Sequence, residues 1–195
     1  MPKYNRLFYL QNISIILNYS YANINIRTKN IWRVEMIAKD ENGDELIDVL
    51  KTDESKTNRY SPVTHSMVIV KIGNEYLMGW NHFRKSWEIF GGCIEKGEST
   101  KDCIVREINE ELGLENADCK FIGLMKYKKA PSNFNPEPHI EYGGLYGMNL
   151  SKSSLDTIRK YRKDRAEIES LSFYSDISDK STVSAIAEKL LKLWQ

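Results

Sequence analysis

The chain has 195 residues, of which 41% are hydrophobic and 28% charged, a composition typical of a soluble globular protein. Its formal net charge of +1 gives no reason to expect a nucleic-acid partner or a membrane surface. Three cysteines form no CxxC pair, so we expect reduced thiols, a cytoplasmic location and no disulfide framework. The length favours one domain with an N-terminal extension.

The N-terminal extension, residues 1–34, carries basic residues but no acidic one. Its apolar stretch over residues 7–17 is too short and too polar to span a bilayer, and no small-residue cleavage site marks a signal peptide. We expect an extra, partly β-stranded segment that packs on the domain or on the partner of a homodimer. The alternative is a translated upstream region, with the functional chain starting near Met36.

The domain, residues 35–195, is predicted to open with a hairpin and a loop over residues 35–62. Residues 32–39 alternate as a first strand, residues 41–44 make a polar turn, and residues 45–50 form the return strand. The polar residues that complete this range are predicted to be a loop. We interpret the hairpin as structural rather than as part of a substrate site.

Further strands are indicated by short apolar or alternating runs between turn signals. In chain order these runs are residues 66–72, 75–80, 119–127, 139–150 and 171–174. Within the fourth run, Gly143 and Gly144 predict a bend or a bulge. The prolines of residues 130–138 predict an irregular loop before that run.

The C-terminal part begins with a basic stretch, residues 151–165, which predicts a solvated loop or a short helix. A lid, or a surface that holds a polyanionic substrate, is the alternative for this stretch. A final helix is predicted over residues 182–194, capped by Asp179 or Ser181. Its apolar residues recur at helical spacing and predict a stripe that faces the core: Val183, Ile186, Leu190 and Leu193.

Residues 92–114 carry the most informative pattern of the chain. Ser99 or Thr100 can cap a helix there, and Gly113 can end it. At about 100° per residue, one arc of this helix carries three carboxylates, and another carries aliphatic side chains suited to a core. The carboxylates are Glu107, Glu110 and Glu111, and the aliphatic residues are Ile104, Ile108 and Leu112.

Three neighbouring carboxylates repel one another, so the pattern needs a physical reason. At ~5 Å and an effective dielectric constant near ~20, each pair costs on the order of 3 kcal/mol. A hard divalent cation, Mg²⁺ or Mn²⁺, prefers oxygen ligands and offsets this repulsion. The alternative is a solvated acidic helix face on which Arg106 makes ordinary surface ion pairs.

The same stretch resembles the Nudix box, the signature of the Nudix hydrolase family, which reads G, five residues, E, seven residues, REUxEExGU with U aliphatic. The fixed positions are matched by Gly92, Glu98, residues 106–108, residues 110–111 and residues 113–114. The resemblance extends over roughly residues 66–194 and implies the family fold, an α/β/α sandwich with a mixed β-sheet. The box helix is then expected on one face of the sheet and the C-terminal helix on the other.

The resemblance also implies roles for the residues of the box. Glu110 and Glu111 are the expected metal ligands, while Glu107 binds metal or takes the proton of the attacking water. Arg106 is expected to pair with Glu98 or Glu107 and to orient a carboxylate. Gly91 is expected to offer a backbone carbonyl to the metal.

Two residues outside the box are candidates for substrate binding. Arg84 can contact a phosphate, and its alternative is an exposed loop charge. Glu141 is a candidate extra metal ligand or base, and its alternative is a strand carboxylate that faces solvent.

The function that the resemblance implies is metal-dependent hydrolysis of a nucleoside diphosphate-linked small molecule, by water attack on phosphorus. A nucleoside triphosphate, whether or not its base is oxidised, is the first substrate class. ADP-ribose or a nucleotide-sugar is the second, because Pro131 stands where a proline marks ADP-ribose hydrolases of the family. A Nudix-like nucleotide-binding regulator without turnover is the third reading, although all box carboxylates are present.

Overall fold

The structure, a computed structural model, describes residues 37–115, 117–133 and 135–195. The predicted extension, residues 1–34, lies outside the described residues, as does the first predicted strand up to residue 36. The rest of the predicted hairpin is present, since strand β1 (Ala38–Lys39) pairs antiparallel with strand β2 (Glu45–Leu50).

The described residues form one mixed sheet of nine strands. After β1 and β2 come β3 (Val63–Ile72), β4 (Glu75–Asn81), β5 (Ser86–Glu88), β6 (Phe90–Cys93), β7 (Lys120–Lys129), β8 (His139–Leu150) and β9 (Ile168–Phe173). The main path runs β1-β2-β7-β8-β3-β4-β5, while β6 pairs with β3 and β9 pairs with β4. Strands β3 and β8 are parallel, and every other pair is antiparallel.

Strand β3 shares one edge between two partners, and this division places the site. Its last residues pair with β4, from Val70 to Ile72. Its earlier residues, from His65 to Val68, pair instead with β6. The short strand β6 therefore fills the edge of β3 that β4 leaves uncovered, and it enters the sheet immediately before the acidic helix.

Among the described residues, three α-helices cover the two faces of the sheet: α1 (Thr100–Leu112), α2 (Ser154–Tyr161) and α3 (Ala185–Leu191). Alternate residues of β3 point to opposite faces. Val68 and Val70 pack in the core that contains α1 and α2, whereas Ile69 packs in the core that contains α3. This arrangement confirms the predicted sandwich. None of the described helices is long and apolar enough to cross a bilayer.

Several of the sequence-based element assignments need correction. The loop predicted before β3 contains a 3₁₀ turn, Glu54–Arg59, which is held where Tyr146 Oη donates to Glu54 Oε1 at 2.7 Å. Strands β5 and β6 were not predicted, because their pairing partners, rather than their own pattern, make them strands. The extra residue in the β3–β8 ladder is Thr64 of β3, opposite the step from Tyr142 to Gly143, so the bulge predicted at Gly143 and Gly144 lies on the partner strand.

The final helix is shorter than predicted, and a tertiary contact sets the residue at which it begins. Val183 forms a parallel bridge to Trp87, and Ser184 N donates to the carbonyl of Trp87 at 2.9 Å. Ser184 therefore caps α3, while Asp179 caps a 3₁₀ turn, Lys180–Thr182. The predicted stripe is buried except at Leu193, which is 43% exposed beyond the end of α3.

Candidate active site

Helix α1 has the ends that its sequence predicts. Ser99 Oγ accepts from the Asp102 amide at 3.1 Å, and the Asp102 carboxylate accepts from the Ser99 amide at 3.0 Å, which completes a capping box. Gly113 ends the helix in the left-handed region, with φ 66°. Just beyond it in space, the amides of Lys163 and Asp164 both donate to the carbonyl of Glu110, at 2.8 and 2.9 Å. The helix is therefore fixed at both ends.

The buried face of α1 is the aliphatic one, with Ile104, Ile108 and Leu112 fully inaccessible to solvent. The opposite arc carries Arg106, the centre of a charge network. Its Nε and Nη2 donate to the two oxygens of Glu98, at 2.8 and 3.1 Å, as a two-pronged fork. The network continues beyond Glu98 and fixes further groups of the site.

The remaining contacts of Arg106 reach the other carboxylates and the backbone of β6. Its Nη1 donates to Glu107 Oε1 at 2.7 Å and lies 3.4 Å from Glu110 Oε2. Its Nη2 donates to the carbonyl of Cys93 at 2.9 Å. Arg106 thus pairs with both of its predicted partners, Glu98 and Glu107, and ties the helix to β6.

Two glycines of β6 allow close approaches to the backbone, one by strand β3 and one by a carboxylate. Gly91 has φ 138°, and a Cβ there would lie 2.1 Å from the carbonyl of Ser66, so only glycine fits. A Cβ on Gly92 would lie 2.2 Å from Glu107 Oε1. The amide of Gly91 donates to Glu111 Oε2 at 2.8 Å. Glu107 and Glu111 therefore lie against consecutive residues of one strand.

The electrostatic environment disfavours the ionised form of these two carboxylates. Burial raises the pKa of Glu107 even though Arg106 opposes the shift. Burial also raises the pKa of Glu111 well above its usual value, and the hydrogen bond from Gly91 offsets only part of this. In contrast, the hydrogen bond from Arg106 holds the pKa of Glu98 below its usual value. Positive charge beside Glu107 and Glu111 would stabilise both carboxylates.

The donor set fits a hard divalent cation. Glu111 is 4% exposed and accepts one hydrogen bond among the described residues, although a carboxylate can accept about four. Carboxylate oxygens and a backbone carbonyl, such as that of Gly91, are the ligand types that Mg²⁺ and Mn²⁺ prefer. Glu110 is 46% exposed and faces Arg106. No three His, Cys, Asp or Glu side chains in the described part of the chain form a ready-made metal site.

One acidic residue near this network was missed by the sequence reasoning. Glu167 adds to the raised pKa of both Glu107 and Glu111, so its negative charge acts on both carboxylates. Its Oε1 accepts from the fully buried Asn81 at 3.0 Å and lies 3.9 Å from Arg84 Nη1. Glu167 reaches this place through the pairing of β9 with β4, and no local motif marks it.

A cavity of about 900 Å³ opens on the other side of β6. Gly91, Gly92 and Cys93 line it, but the three box glutamates do not. Its walls come from the β1–β2 hairpin, β3, the loop after β4, the strands β7 and β8, and α3. Among the lining side chains are Thr64, His65, Phe83, Arg84, Lys129 and Glu141.

Both residues predicted to bind substrate lie in this cavity wall. Arg84 is 56% exposed and is tethered to Glu88, with 2.6 Å between Nη1 and Oε2. Glu141 is not a solvent-facing strand carboxylate, because its two oxygens accept from His139 Nε2 at 2.8 Å and from Thr64 Oγ1 at 3.0 Å. Although burial opposes it, these hydrogen bonds hold the pKa of Glu141 below its usual value.

The basic stretch after β8 is used largely within the fold. Arg162 donates to the carbonyls of Ile168 and Glu169, at 2.6 and 2.9 Å. Arg165 donates to the carbonyl of Arg159 at 2.9 Å. These side chains brace the connection between α2 and β9, and none of them lines the cavity.

Comparison with known proteins finds a family match over the part of the chain that contains the box. The family model described as NUDIX domain matches residues 62–175, which is more than half of the chain. The NAD-capped RNA hydrolase NudC of Pseudomonas aeruginosa is 31% identical over 106 residues, 53% of this chain and 35% of that protein. A Bacillus subtilis protein named "Putative 8-oxo-dGTP diphosphatase" is 32% identical over 71 residues, 36% of this chain and 45% of that protein.

The matches cover different shares of the relatives. The chain spans about a third of the length of the NudC relative and under half of the second. Among solved structures, the Bacillus subtilis pyrophosphohydrolase BsRppH is similar with a TM-score of 0.53 and 19% identity. That likeness covers 79% of this chain and 94% of the other, and it shows a shared fold.

Proposed function

This chain belongs to the NUDIX domain family, and we propose that it is a metal-dependent hydrolase of a nucleoside diphosphate-linked small molecule. The observation that carries the proposal is the position of Glu107 and Glu111 against Gly91 and Gly92, which also border the cavity. The names of the two sequence relatives denote hydrolases of nucleotide compounds, which supports the same reaction class.

In this proposal some residues of the site bind the cation, and Arg106 orients a carboxylate. Glu107, Glu110, Glu111 and the carbonyl of Gly91 would hold Mg²⁺ or Mn²⁺. When bound, the ion supplies a Lewis acid for a phosphoryl oxygen and lowers the pKa of a coordinated water. Arg106 fixes the carboxylate of Glu107 by its contact with Oε1. The Oε2 atom, which has no hydrogen-bond partner among the described residues, is then the atom that accepts the proton of the attacking water.

The substrate would lie across β6, with its diphosphate beside the two glycines and its nucleoside in the cavity. The volume of the cavity falls in the range of small-molecule sites, about 300–1,000 Å³. Arg84 uses only Nη1 for its carboxylate partners, so the rest of its guanidinium is available to a phosphate. We place a nucleoside triphosphate, oxidised or not, first among substrates.

ADP-ribose or a nucleotide-sugar is the second candidate substrate, and the size of the cavity supports it. A volume of about 900 Å³ is near the upper end of that range, and a second sugar could be accommodated beside the nucleoside. The two candidates differ in the group attached to the diphosphate, so their products separate them.

The test is a hydrolysis screen with Mg²⁺ over nucleoside triphosphates, 8-oxo-dGTP, ADP-ribose, dinucleoside polyphosphates and coenzyme A. Pyrophosphate with a nucleoside monophosphate supports the first candidate, and AMP with ribose phosphate supports the second. Glu111→Gln protein, purified in the same way, controls for contaminating hydrolases. Nucleotide binding without turnover of any substrate overturns the proposal and favours a regulator.

A further inference from the structure

A continuous chain of hydrogen bonds runs from the surface to the wall of the cavity. His139 Nε2 lies 2.8 Å from Glu141 Oε1, Thr64 Oγ1 lies 3.0 Å from Glu141 Oε2, and Thr64 Oγ1 lies 3.0 Å from His65 Nδ1. The members come from β3 and β8, which are neighbouring parallel strands. The chain ends at the His65 ring, which contacts the ring of Tyr127 edge-on at a centroid distance of 5.1 Å.

The direction of each bond in this chain is fixed by its acidic member. An ionised carboxylate only accepts hydrogen bonds, so the single hydroxyl proton of Thr64 points to Glu141. Oγ1 of Thr64 can then only accept from the imidazole, and the proton of His65 must be on Nδ1. Burial, with Lys129 adding to it, lowers the pKa of His65 to about 4, so the ring is neutral at pH 7. A neutral imidazole has one N–H, which leaves Nε2 as an acceptor.

The His65 side chain lines the cavity. Nε2 of His65 has no hydrogen-bond partner among the described residues. No buried side-chain nitrogen or oxygen in the same part of the chain lacks a partner, so Nε2 is accessible. The ring lies flat over Gly143, where a Cβ would be 2.3 Å from Nε2. Glycine thus allows a position of the ring that any larger residue would displace.

We propose that His65 is a specificity-determining residue, which presents Nε2 as a hydrogen-bond acceptor to an N–H or O–H donor on the nucleoside of the substrate. This inference rests on the proposed function, because it takes the nucleoside to lie in the cavity. Thr64 is the positioning residue that holds the Nδ1–H tautomer, and Glu141 fixes the hydroxyl of Thr64. The selected donor belongs either to the base or to the ribose.

The tautomer can be measured directly in the whole protein. The ¹⁵N signals of an imidazole distinguish a protonated from an unprotonated nitrogen, and His65→Gln identifies the signals of His65 among the three histidines. We expect protonated Nδ1 and unprotonated Nε2 at pH 7. Thr64→Val should populate the Nε2–H form, whereas Thr64→Ser keeps the hydroxyl and should keep the tautomer. An Nε2–H ring or an imidazolium in the wild type overturns the proposal.

Recognition is tested by calorimetric titration with AMP, GMP, CMP and UMP in a chelator, where no turnover occurs. For the monophosphate that the wild type binds most tightly, His65→Leu should lower affinity by roughly tenfold, the value of one hydrogen bond. His65→Gln, whose side-chain carbonyl can accept, should retain more of the affinity. Thermal melting checks that each variant is folded, and if His65→Leu is not, the Gln variant and the tautomer decide the result.

Ligands that lack one donor then locate it. Removing the selected donor should cost the wild type roughly tenfold and His65→Leu nothing further, which is the signature of a coupled pair. Deoxyribose analogues test the ribose, and purine riboside monophosphate tests an exocyclic amine. Independent losses for every donor, or a wild type that binds none of the four monophosphates, overturn the proposal. Because these measurements need no hydrolysis, an inactive enzyme with a coupled His65 would count against the proposed function alone.

Discussion

The two sides of β6 are built in different ways. On the side of α1, the charged groups of the box come from one helix and the turn before it, and Arg106 connects Glu98, Glu107 and Glu110 within one network. Glu167, the residue before β9, adds its charge to them. On the cavity side, the lining groups come from six parts of the chain that are distant in sequence. The charge network is local, whereas the cavity exists only in the assembled sheet.

This difference separates the chemistry of the site from its recognition of substrate. Under the proposed function, the α1 side would hold the cation with its carboxylates and would act on any diphosphate that reaches Gly91 and Gly92. The cavity side would decide which attached group fits. Changes on the α1 side should therefore lower turnover for every substrate, and changes on the cavity side should alter affinity for particular ones.

The largest expected effect comes from removing divalent cations, which acts on the α1 side alone. Chelation should abolish hydrolysis, and added Mg²⁺ should restore it, because the carboxylates would lose their counter-ion. Mg²⁺ at about 100 times its dissociation constant should also stabilise the fold by about 2.7 kcal/mol, seen as a higher melting temperature. Hydrolysis that persists in the chelator would contradict the mechanism.

Glu111→Gln should lower kcat on the order of 1,000-fold, since the loss of a ligand removes several kcal/mol of transition-state stabilisation. The glutamine carbonyl can still accept from the Gly91 amide, so the fold should persist. Steady-state kinetics and thermal melting measure the two effects. The exposed Glu115, just beyond α1, provides the control variant Glu115→Gln, which should be fully active. Wild-type activity of Glu111→Gln at saturating Mg²⁺ would remove Glu111 from the ligand set.

Arg106→Lys should lower kcat by roughly 10- to 100-fold with a smaller change in KM, because lysine cannot reproduce the guanidinium fork. Glu107 would lose the contact that orients it, while the cavity would keep its shape. Arg159→Lys is the matched control, since Arg159 is 71% exposed and its one carboxylate contact is 3.8 Å from Asp156. If Arg106→Lys changed KM alone, the separation of the two sides would be wrong.

The smallest expected effect concerns the cavity side and comes from replacing a glycine that contacts His65. Gly143→Ala and Gly147→Ala place a Cβ 2.3 and 2.1 Å from the rings of His65 and Trp194, so each should destabilise the fold by about 1–3 kcal/mol. Only Gly143→Ala should weaken nucleotide binding, because the ring it displaces, His65, lines the cavity, whereas Trp194 does not. Denaturant unfolding and nucleotide titration measure the two quantities. Equal losses of binding in both variants would indicate a general effect of instability.

The α1 side could be predicted from the sequence because its determinants are close together. Ser99 and Gly113 set the helix ends within one short stretch, and helical spacing brings Glu107 and Glu111 to the same strand. The resemblance to the family then gave the order of layers. The position of Glu110, which faces Arg106 and solvent, could not be read from spacing, because it depends on side-chain rotation.

The cavity side, and the contribution of Glu167 to the α1 side, could not be predicted in the same way. Thr64 meets Glu141 because β3 and β8 are parallel neighbours, and Glu167 reaches the network because β9 pairs with β4. Nothing local to these residues encodes either pairing. The start of α3 shows the same limit, since several residues before it could cap a helix and the bridge from Val183 to Trp87 selects Ser184.

The carbonyl of Glu110 would be a free acceptor at the end of an isolated helix, and here the amides of Lys163 and Asp164 occupy it. The last turn of α1 therefore cannot fray unless the α2–β9 connection detaches at the same time. Glu110 and Glu111 are thereby carried on a helix end that resists local opening. A substitution that loosens this distant connection would reach the acidic cluster through the main chain, with no change of charge near it.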